Sequence, residues 1–236
     1  ELGREVRFHG EEVDRALRDV LRDRTQSGRV DQLPAGQPFG RPVDADVLDV
    51  LGSVPREHFV PQAYRSIAFA DVEIPIGHGQ TMMTPTVEGR VLQALELEGN
   101  EDILEIGTGS GFLTACLASL GGRVTSIDIH EQFVQRAMHR LDDLRINNVE
   151  LMSMDATRQL PSGHFDAIAV TGSVESMHPR FVDALKPGGR LFVVVGAPPV
   201  MDARRVRQTD DGDWVTESLF ETELAPLVNG ALPPQF

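Results

Sequence analysis

A chain of 236 residues, 41% hydrophobic and 25% charged, is long enough for one large domain with a buried core and is not disordered as a whole. Thirty-six acidic against 22 basic residues give a formal charge of −14, a surface that repels phosphate backbones, so nucleic acid is not expected as a partner. No apolar run approaches the ~20 residues of a membrane span, residues 1–8 lack a basic-then-apolar leader pattern, and the lone Cys116 excludes an internal disulfide and a cysteine metal cluster, which fits a cytoplasmic, reducing setting.

Val13, Ala16, Leu17, Val20 and Leu21 recur at helical spacing, with charges on the opposite side, and predict an amphipathic helix over 11–24. Residues 28–42 are rich in glycine and proline and read as a linker. Residues 1–42 thus form an N-terminal helical extension, whose apolar stripe packs on its own domain or pairs with another chain, and 43–236 the main domain. A short helix is predicted over 44–51, and the proline-bounded run 54–61 reads as a packed, irregular corner. Thr84 is placed to cap a helix with Pro85 at its first position and Val87, Val91, Leu92 and Leu95 on its apolar face. Strands then alternate with helices: strand 102–106, helix 110–120, strand 123–127, helix 131–144, strands 149–153 and 165–170, helix 177–185, a turn at 186–189 and a strand at 190–195. This order predicts an α/β fold, Rossmann-like and doubly wound, with a mostly parallel sheet covered on both faces. Residues 204–227 predict two more strands around a turn at 210–212.

The sharpest motif is Ile103-Leu104-Glu105-Ile106-Gly107-Thr108-Gly109-Ser110-Gly111, a strand running into a glycine turn that opens a helix. Glycines allow a tight turn and let a ligand approach the backbone, and a helix N-terminus offers free N–H groups. Asp128 follows Gly111 by 17 residues, at the end of the next strand, where a carboxylate accepts both hydroxyls of a ribose. Three nucleotide readings compete. A dinucleotide fingerprint needs G-x-G-x-x-G, but the spacing here is G-x-G-x-G. A phosphate-binding loop needs Lys-Ser/Thr after its last glycine, and Phe112-Leu113 stand there. S-adenosylmethionine remains, with its amino-acid part by the turn and its ribose on Asp128; Glu105 adds weight, because methyltransferases of this class carry an acid just before the glycines. Asp155, after the strand 149–153, is then placed near the adenine amino group with the Ala156 N–H beside it; taken alone it reads as a helix cap.

Further stretches carry a more specific resemblance: Val54-Pro55-Arg56-Glu57-His58-Phe59-Val60-Pro61, Ala63-Tyr64, Ile74-Pro75-Ile76-Gly77-His78-Gly79-Gln80-Thr81, the glycine loop, Phe165-Asp166-Ala167-Ile168, Val170-Thr171 and Leu185-Lys186-Pro187-Gly188-Gly189-Arg190-Leu191. With these the chain resembles the protein-L-isoaspartate O-methyltransferase family of class I methyltransferases over roughly 42–227. The resemblance implies an S-adenosylmethionine-dependent enzyme that esterifies isoaspartyl residues of damaged proteins or peptides, leaving S-adenosylhomocysteine. A carboxylate is already ionised at neutral pH, so positioning and exclusion of water are expected to suffice, with no metal. Gln80, Thr81 and the backbone of Met82 and Met83 would close over cofactor and acceptor. Where the family has Gly-Gln-Thr-Ile-Ser-x-Pro this chain has Gly79-Gln80-Thr81-Met82-Met83-Thr84-Pro85, which puts Met83 in the position of a serine at the reaction centre, with the Thr84 hydroxyl one residue on. A thioether cannot donate a hydrogen bond, so Met83 is an apolar filler or the mark of a different peptide or small-molecule acceptor. The family's Val-Thr-Ala-Ala appears as Val170-Thr171-Gly172-Ser173, and its Val-Pro-Leu as Ala225-Pro226-Leu227. A protein acting through interaction alone, via the N-terminal helix, is the reading from another class.

Overall fold

The computed structural model describes residues 44–209 and 211–230; the helix expected over 11–24 and its linker lie outside them. Before the main sheet come α1 (Ala45–Ser53), α2 (Arg56–Phe59), a 3₁₀ turn (Gln62–Ile67), and a two-stranded antiparallel hairpin, β1 (Ile74–Gly77) with β2 (Gln80–Met82). The hairpin turn needs left-handed backbone at Gly77, His78 and Gly79 (φ 108°, 53° and 71°), which glycine supplies at its two ends. Next is α3 (Pro85–Leu95), with Thr84 Oγ1 accepting from the Val87 N–H and Pro85 leading, as expected.

Then follow β3 (Asp102–Ile106), α4 (Phe112–Leu120), β4 (Arg123–Asp128), α5 (Glu131–Asp143), β5 (Val149–Ser153), β6 (Phe165–Val174), α6 (Pro179–Asp183), β7 (Leu185–Ala197), β8 (Val200–Gln208) and β9 (Trp214–Glu221). These seven strands form one sheet in the order β5-β4-β3-β6-β7-β8-β9, parallel from β5 to β7, with β8 antiparallel to both of its neighbours. Alternate strand residues feed two cores. Ile103, Ala167, Ala169, Phe192 and Val194 face the side of α1, α3, α4 and α5, while Leu104, Ile168, Val170, Leu191 and Val193 face the side of α6. A sheet buried on both faces is what the continuous apolar strand runs require.

Some boundaries differ from the sequence reading. Helix α4 begins two residues later than expected, because Gly109 and Gly111 hold φ of 52° and 86°. β6 runs to Val174 rather than residue 170, because Ser173 and Val174 pair with Val194 and Val195 of β7. α6 is a short helix started by Pro179, and the segment expected as a turn at 186–189 lies within β7, its register broken opposite Phe165 and Ala167. Among the described residues no helix is long and apolar enough to cross a membrane, and no cluster of His, Cys, Asp or Glu could hold a metal.

Candidate active site

The chain moves from β3 to β4 to β5 on one side of the sheet, then returns to place β6 on the other side of β3. Such a reversal opens a crevice at the carboxyl ends of the strands, where open α/β sheets bind ligands. A cleft lies there. Ile106, Gly107 and Gly109 line it after β3; Asp128, Ile129 and His130 after β4; Met154 to Thr157 after β5; and Thr171 and Gly172 from β6. Ile76, Gln80 and Thr81 of the hairpin close one side, and Pro226, Leu227 and Val228 another.

The glycine loop is shaped by contact as well as by its turns. A Cβ on Gly107 would stand 2.2 Å from Thr171 Oγ1, whose hydroxyl donates to the carbonyls of Ile106 (3.0 Å) and Gly107 (2.8 Å). One on Gly111 would stand 2.9 Å from the Ala137 Cβ of α5. The loop's amides are mostly used within the protein. Gly107 and Thr108 donate to the Ile127 carbonyl, Gly109 to Asp128 Oδ2 at 2.9 Å, Gly111 to the Thr108 carbonyl and Phe112 to Ser110 Oγ. The loop therefore offers a close backbone surface rather than the nest of free N–H groups that holds a phosphate.

Asp128 is buried (7% exposed), with Oδ2 on the Gly109 amide and Oδ1 accepting from the His130 amide at 2.8 Å. Burial raises its pKa, while those hydrogen bonds and the nearby His130 and His78 oppose the rise. Each oxygen keeps lone pairs for a diol. Glu105 is fully buried; its Oε2 accepts from Thr114 Oγ1 (2.5 Å) and Ser126 Oγ (2.6 Å), Ser126 also meets Thr108 Oγ1 at 2.6 Å, and Oε1 is buried without a partner. Burial pushes the Glu105 carboxyl up to about 8 against the two hydroxyl donors. Asp155 fixes its own turn, accepting at Oδ1 from the Thr157 amide and hydroxyl, and at Oδ2 from Asn229 Nδ2 at 3.0 Å. Its partial burial would raise the pKa, but the Thr157 and Asn229 bonds and Arg158 hold it below the ordinary value.

Gln80, Thr81, Gly107, Gly109, Asp128, Asp155 and Ala156 are brought together along the cleft. Met82, Glu105, Thr108, Ser110 and Gly111 stand behind it as its support. Met83 and Thr84 do not line it. Beyond the end of β2, the Met83 side chain turns into the hydrophobic core (8% exposed) and the Thr84 hydroxyl is committed to its cap, so the expectation of both at the reaction centre is corrected. Sequence reasoning missed His130, Phe133, Thr171, Gly172, Leu227 and Val228. His130 follows Asp128 so closely that the strand end was a usable signal; its Nε2 is buried without a partner, and its ring stacks on His78 at 4.3 Å.

The fit to S-adenosylmethionine follows from these residues. Among the described lining residues are two carboxylates and no Lys or Arg, a setting hostile to phosphates and suited to a sulfonium cation with a ribose. Fold and cleft together define a Rossmann-like methyltransferase domain.

The comparisons narrow that class. The profile of the family "Protein-L-isoaspartate(D-aspartate) O-methyltransferase" matches residues 39–232. A Pelobacter propionicus protein named protein-L-isoaspartate O-methyltransferase 2 is 36% identical over 208 residues, covering 87% of this chain and 92% of that relative. A Trichlorobacter lovleyi protein-L-isoaspartate O-methyltransferase is 38% identical over 183 residues, covering 77% and 84%. In fold, the chain is similar to a Plasmodium falciparum structure described as a protein-L-isoaspartate O-methyltransferase with S-adenosyl-L-homocysteine, at a TM-score of 0.70 and 19% identity over 91% of this chain and 97% of that one. The chain belongs to the protein-L-isoaspartate O-methyltransferase family.

Proposed function

We propose that this protein is an S-adenosylmethionine-dependent carboxyl O-methyltransferase acting on isoaspartyl residues of proteins and peptides. The observation that carries it is the meeting, in one cleft, of the family-specific Gln80-Thr81 with the glycine loop and Asp128. Gly107 and Gly109 form the wall for the methionine part, with Thr108, Ser110, Gly111 and the Glu105 carboxyl with its hydroxyl partners bracing that wall from behind. Asp128 takes the ribose hydroxyls, and Asp155 with the Ala156 N–H faces the adenine. Gln80, Thr81 and the Met82 backbone cover the acceptor side.

The cofactor supplies a methyl group on a sulfonium: the acceptor's carboxylate oxygen takes it as the S–C bond breaks, leaving a neutral thioether and an ester. An ionised carboxylate needs no base, so the protein's part is alignment and exclusion of water. The apolar Ile76, Ile106, Leu227 and Val228 around the cleft do the excluding. Met83 is buried in the core, so the departure from serine alters packing below the hairpin rather than the chemistry of the cleft. A lone, buried Cys116 supports a cytoplasmic setting.

Labelled methyl transfer to an isoaspartyl peptide, with the matching aspartyl peptide as control, tests the assignment. Ester on the isoaspartyl peptide alone is expected. Ester on neither, from protein that binds S-adenosylhomocysteine, would reject the acceptor.

A further inference from the structure

The run from Val54 to Pro61 is the part of the family resemblance that methyl transfer leaves unused, and Arg56 is its buried centre, 1% exposed. Its donors reach three separate segments. Nε donates to the Ala68 carbonyl at 2.6 Å, Nη2 to the Met83 carbonyl at 2.7 Å, and Nη1 to Glu88 Oε2 on α3. The guanidinium lies 4.7 Å over the centroid of the Phe112 ring, which Phe59 also meets edge-on at 5.7 Å. Phe112 follows Gly111 directly. One side chain therefore touches both the segment that ends the hairpin and the helix that the glycine loop opens.

Stability alone does not ask for this arrangement. Taking an ion pair out of water is costly, and apolar residues of similar volume are often at least as stable. What they lack is direction: a planar fork holds two carbonyls at set angles. Ala68 and Met83 both lie outside helices and strands, where no ladder fixes their orientation. Met83 is also the joint between Gln80-Thr81, which line the cleft, and α3.

We propose that Arg56 is a positioning residue for methyl transfer: by holding the Met83 carbonyl and stacking on Phe112 it sets where Gln80 and Thr81 stand relative to the glycine loop. The proposal rests on the isoaspartyl methyltransferase reading above. Its mode of action is through the backbone, since Arg56 does not line the cleft.

The test replaces the ion pair by a double variant, Arg56→Met with Glu88→Met, and compares it with Arg56→Lys. The double variant is expected to fold and to bind S-adenosylhomocysteine within about threefold of the wild type, because a buried pair is replaceable by apolar packing. Its kcat/KM on an isoaspartyl peptide is expected to fall about 10- to 100-fold, the cost of a misplacement on the order of an ångström. Amide hydrogen exchange at residues 80–84 should quicken, with the sheet unchanged. Arg56→Lys keeps the charge beside Glu88 but not the fork, so it should fold and bind S-adenosylhomocysteine without keeping the wild-type kcat/KM. Wild-type turnover and exchange in the double variant would overturn the proposal. So would full rescue of kcat/KM by lysine, or equal losses in cofactor affinity and turnover. Should the double variant fail to fold, Phe112→Leu, which removes the stack on Arg56 together with the edge-on contact to Phe59, is read by the same two measurements. If the wild type itself forms no ester, the parent reading fails, and exchange at 80–84 still decides whether Arg56 sets the hairpin.

Discussion

Replacing Asp128 by asparagine separates the two jobs of that carboxylate. In the free protein its two oxygens each take a backbone N–H, from Gly109 at 2.9 Å and His130 at 2.8 Å. Asparagine offers one carbonyl oxygen and one amide nitrogen, so whichever way it turns, an amide nitrogen faces an N–H and one buried donor is left unpaired. That costs about 1–3 kcal/mol of folding stability and distorts either the glycine turn or the start of α5. At the ligand, a ribose loses its charged acceptor, and hydrogen bonds to a charged group are worth about 1.5–3 kcal/mol against roughly 1 for neutral ones. Allowing for one surviving bond, the expected loss is about 10- to 100-fold in the Kd for S-adenosylhomocysteine, since 1.4 kcal/mol is about tenfold. Titration calorimetry on the Asp128→Asn variant measures it, with circular dichroism to show that the sheet is intact. A melting scan adds a second reading: with ligand at about 100 times the wild-type Kd, the wild type gains about 2.7 kcal/mol from binding, and a 10- to 100-fold weaker variant keeps only about 1.4 to 0.4 kcal/mol of it. Folded Asp128→Asn binding within threefold of the wild type would refute the assignment of the ribose to this residue.

Further outcomes follow from the same geometry. Glu105 titrates near 4.5 when unfolded and is pushed up to about 8 by burial in the native state. Between those values the unfolded chain gives up a proton that the folded chain keeps, so this group makes stability fall as pH rises, at up to about 1.4 kcal/mol per pH unit. Glu105→Gln removes that slope, so the melting temperatures of variant and wild type should approach each other near pH 4.5 and separate towards pH 8 with the variant higher; a constant gap would sink the idea. Met83→Ser, the change that restores the family's hydroxyl, should lower the melting temperature by the equivalent of about 2–4 kcal/mol, because a buried thioether is traded for a small polar group. A gain in ester formation without that loss would return Met83 to the acceptor site. Gly172→Ala places a Cβ 2.7 Å from Leu227 Cδ2 and 3.2 Å from its backbone nitrogen; overpacking of about 1–3 kcal/mol should displace 224–230 and speed dissociation of S-adenosylhomocysteine in stopped flow, and an unchanged rate would refute it.

The cofactor end of the cleft was legible because its signals are local. Glu105, three glycines and the acid after the next strand lie within 24 residues, and each does its work through neighbours in sequence or on the adjacent strand. The short apolar runs also bounded β3 and β5 to the residue: in β3 four successive buried residues follow the exposed Asp102, and half-buried β5 ends at the exposed Ser153. The acceptor end was not legible. The Met83 carbonyl is bound by Arg56, 27 residues away, and His78 reaches His130 across 52. The covering residues Leu227 and Val228 belong to a segment without regular structure, whose place is set by pairing with Ser173 rather than by any period of its own. The short helix α6 was overextended because residues 177–185 are apolar at helical spacing, while Pro179 and the start of β7 at Leu185 shorten it from both sides.

The departures from the family pattern that looked unrelated in sequence are in contact in the fold. The Ser173 hydroxyl donates to the Leu224 carbonyl at 2.9 Å, the Ser173 amide donates to the Ala225 carbonyl, and the Leu227 amide returns to the Ser173 carbonyl. Gly172, beside it, has no Cβ where Leu227 packs. Alanine at both positions, as in the family pattern, would lose the hydroxyl bond and crowd Leu227, so Gly172 and Ser173 act as one adjustment that lets 224–230 lie close against β6. Ala225 enters only through its backbone carbonyl, which leaves its side chain free to differ from valine. From there the segment passes Leu227 and Val228 along the cleft and reaches Asp155 through the Asn229 amide at 3.0 Å. Asp155 therefore sits between the adenine it is proposed to read and the cover that closes over it. Adenine recognition and closure of the cleft then draw on one carboxylate, and a change at Asn229 should be felt in the rate of cofactor exchange before it is felt in the chemistry.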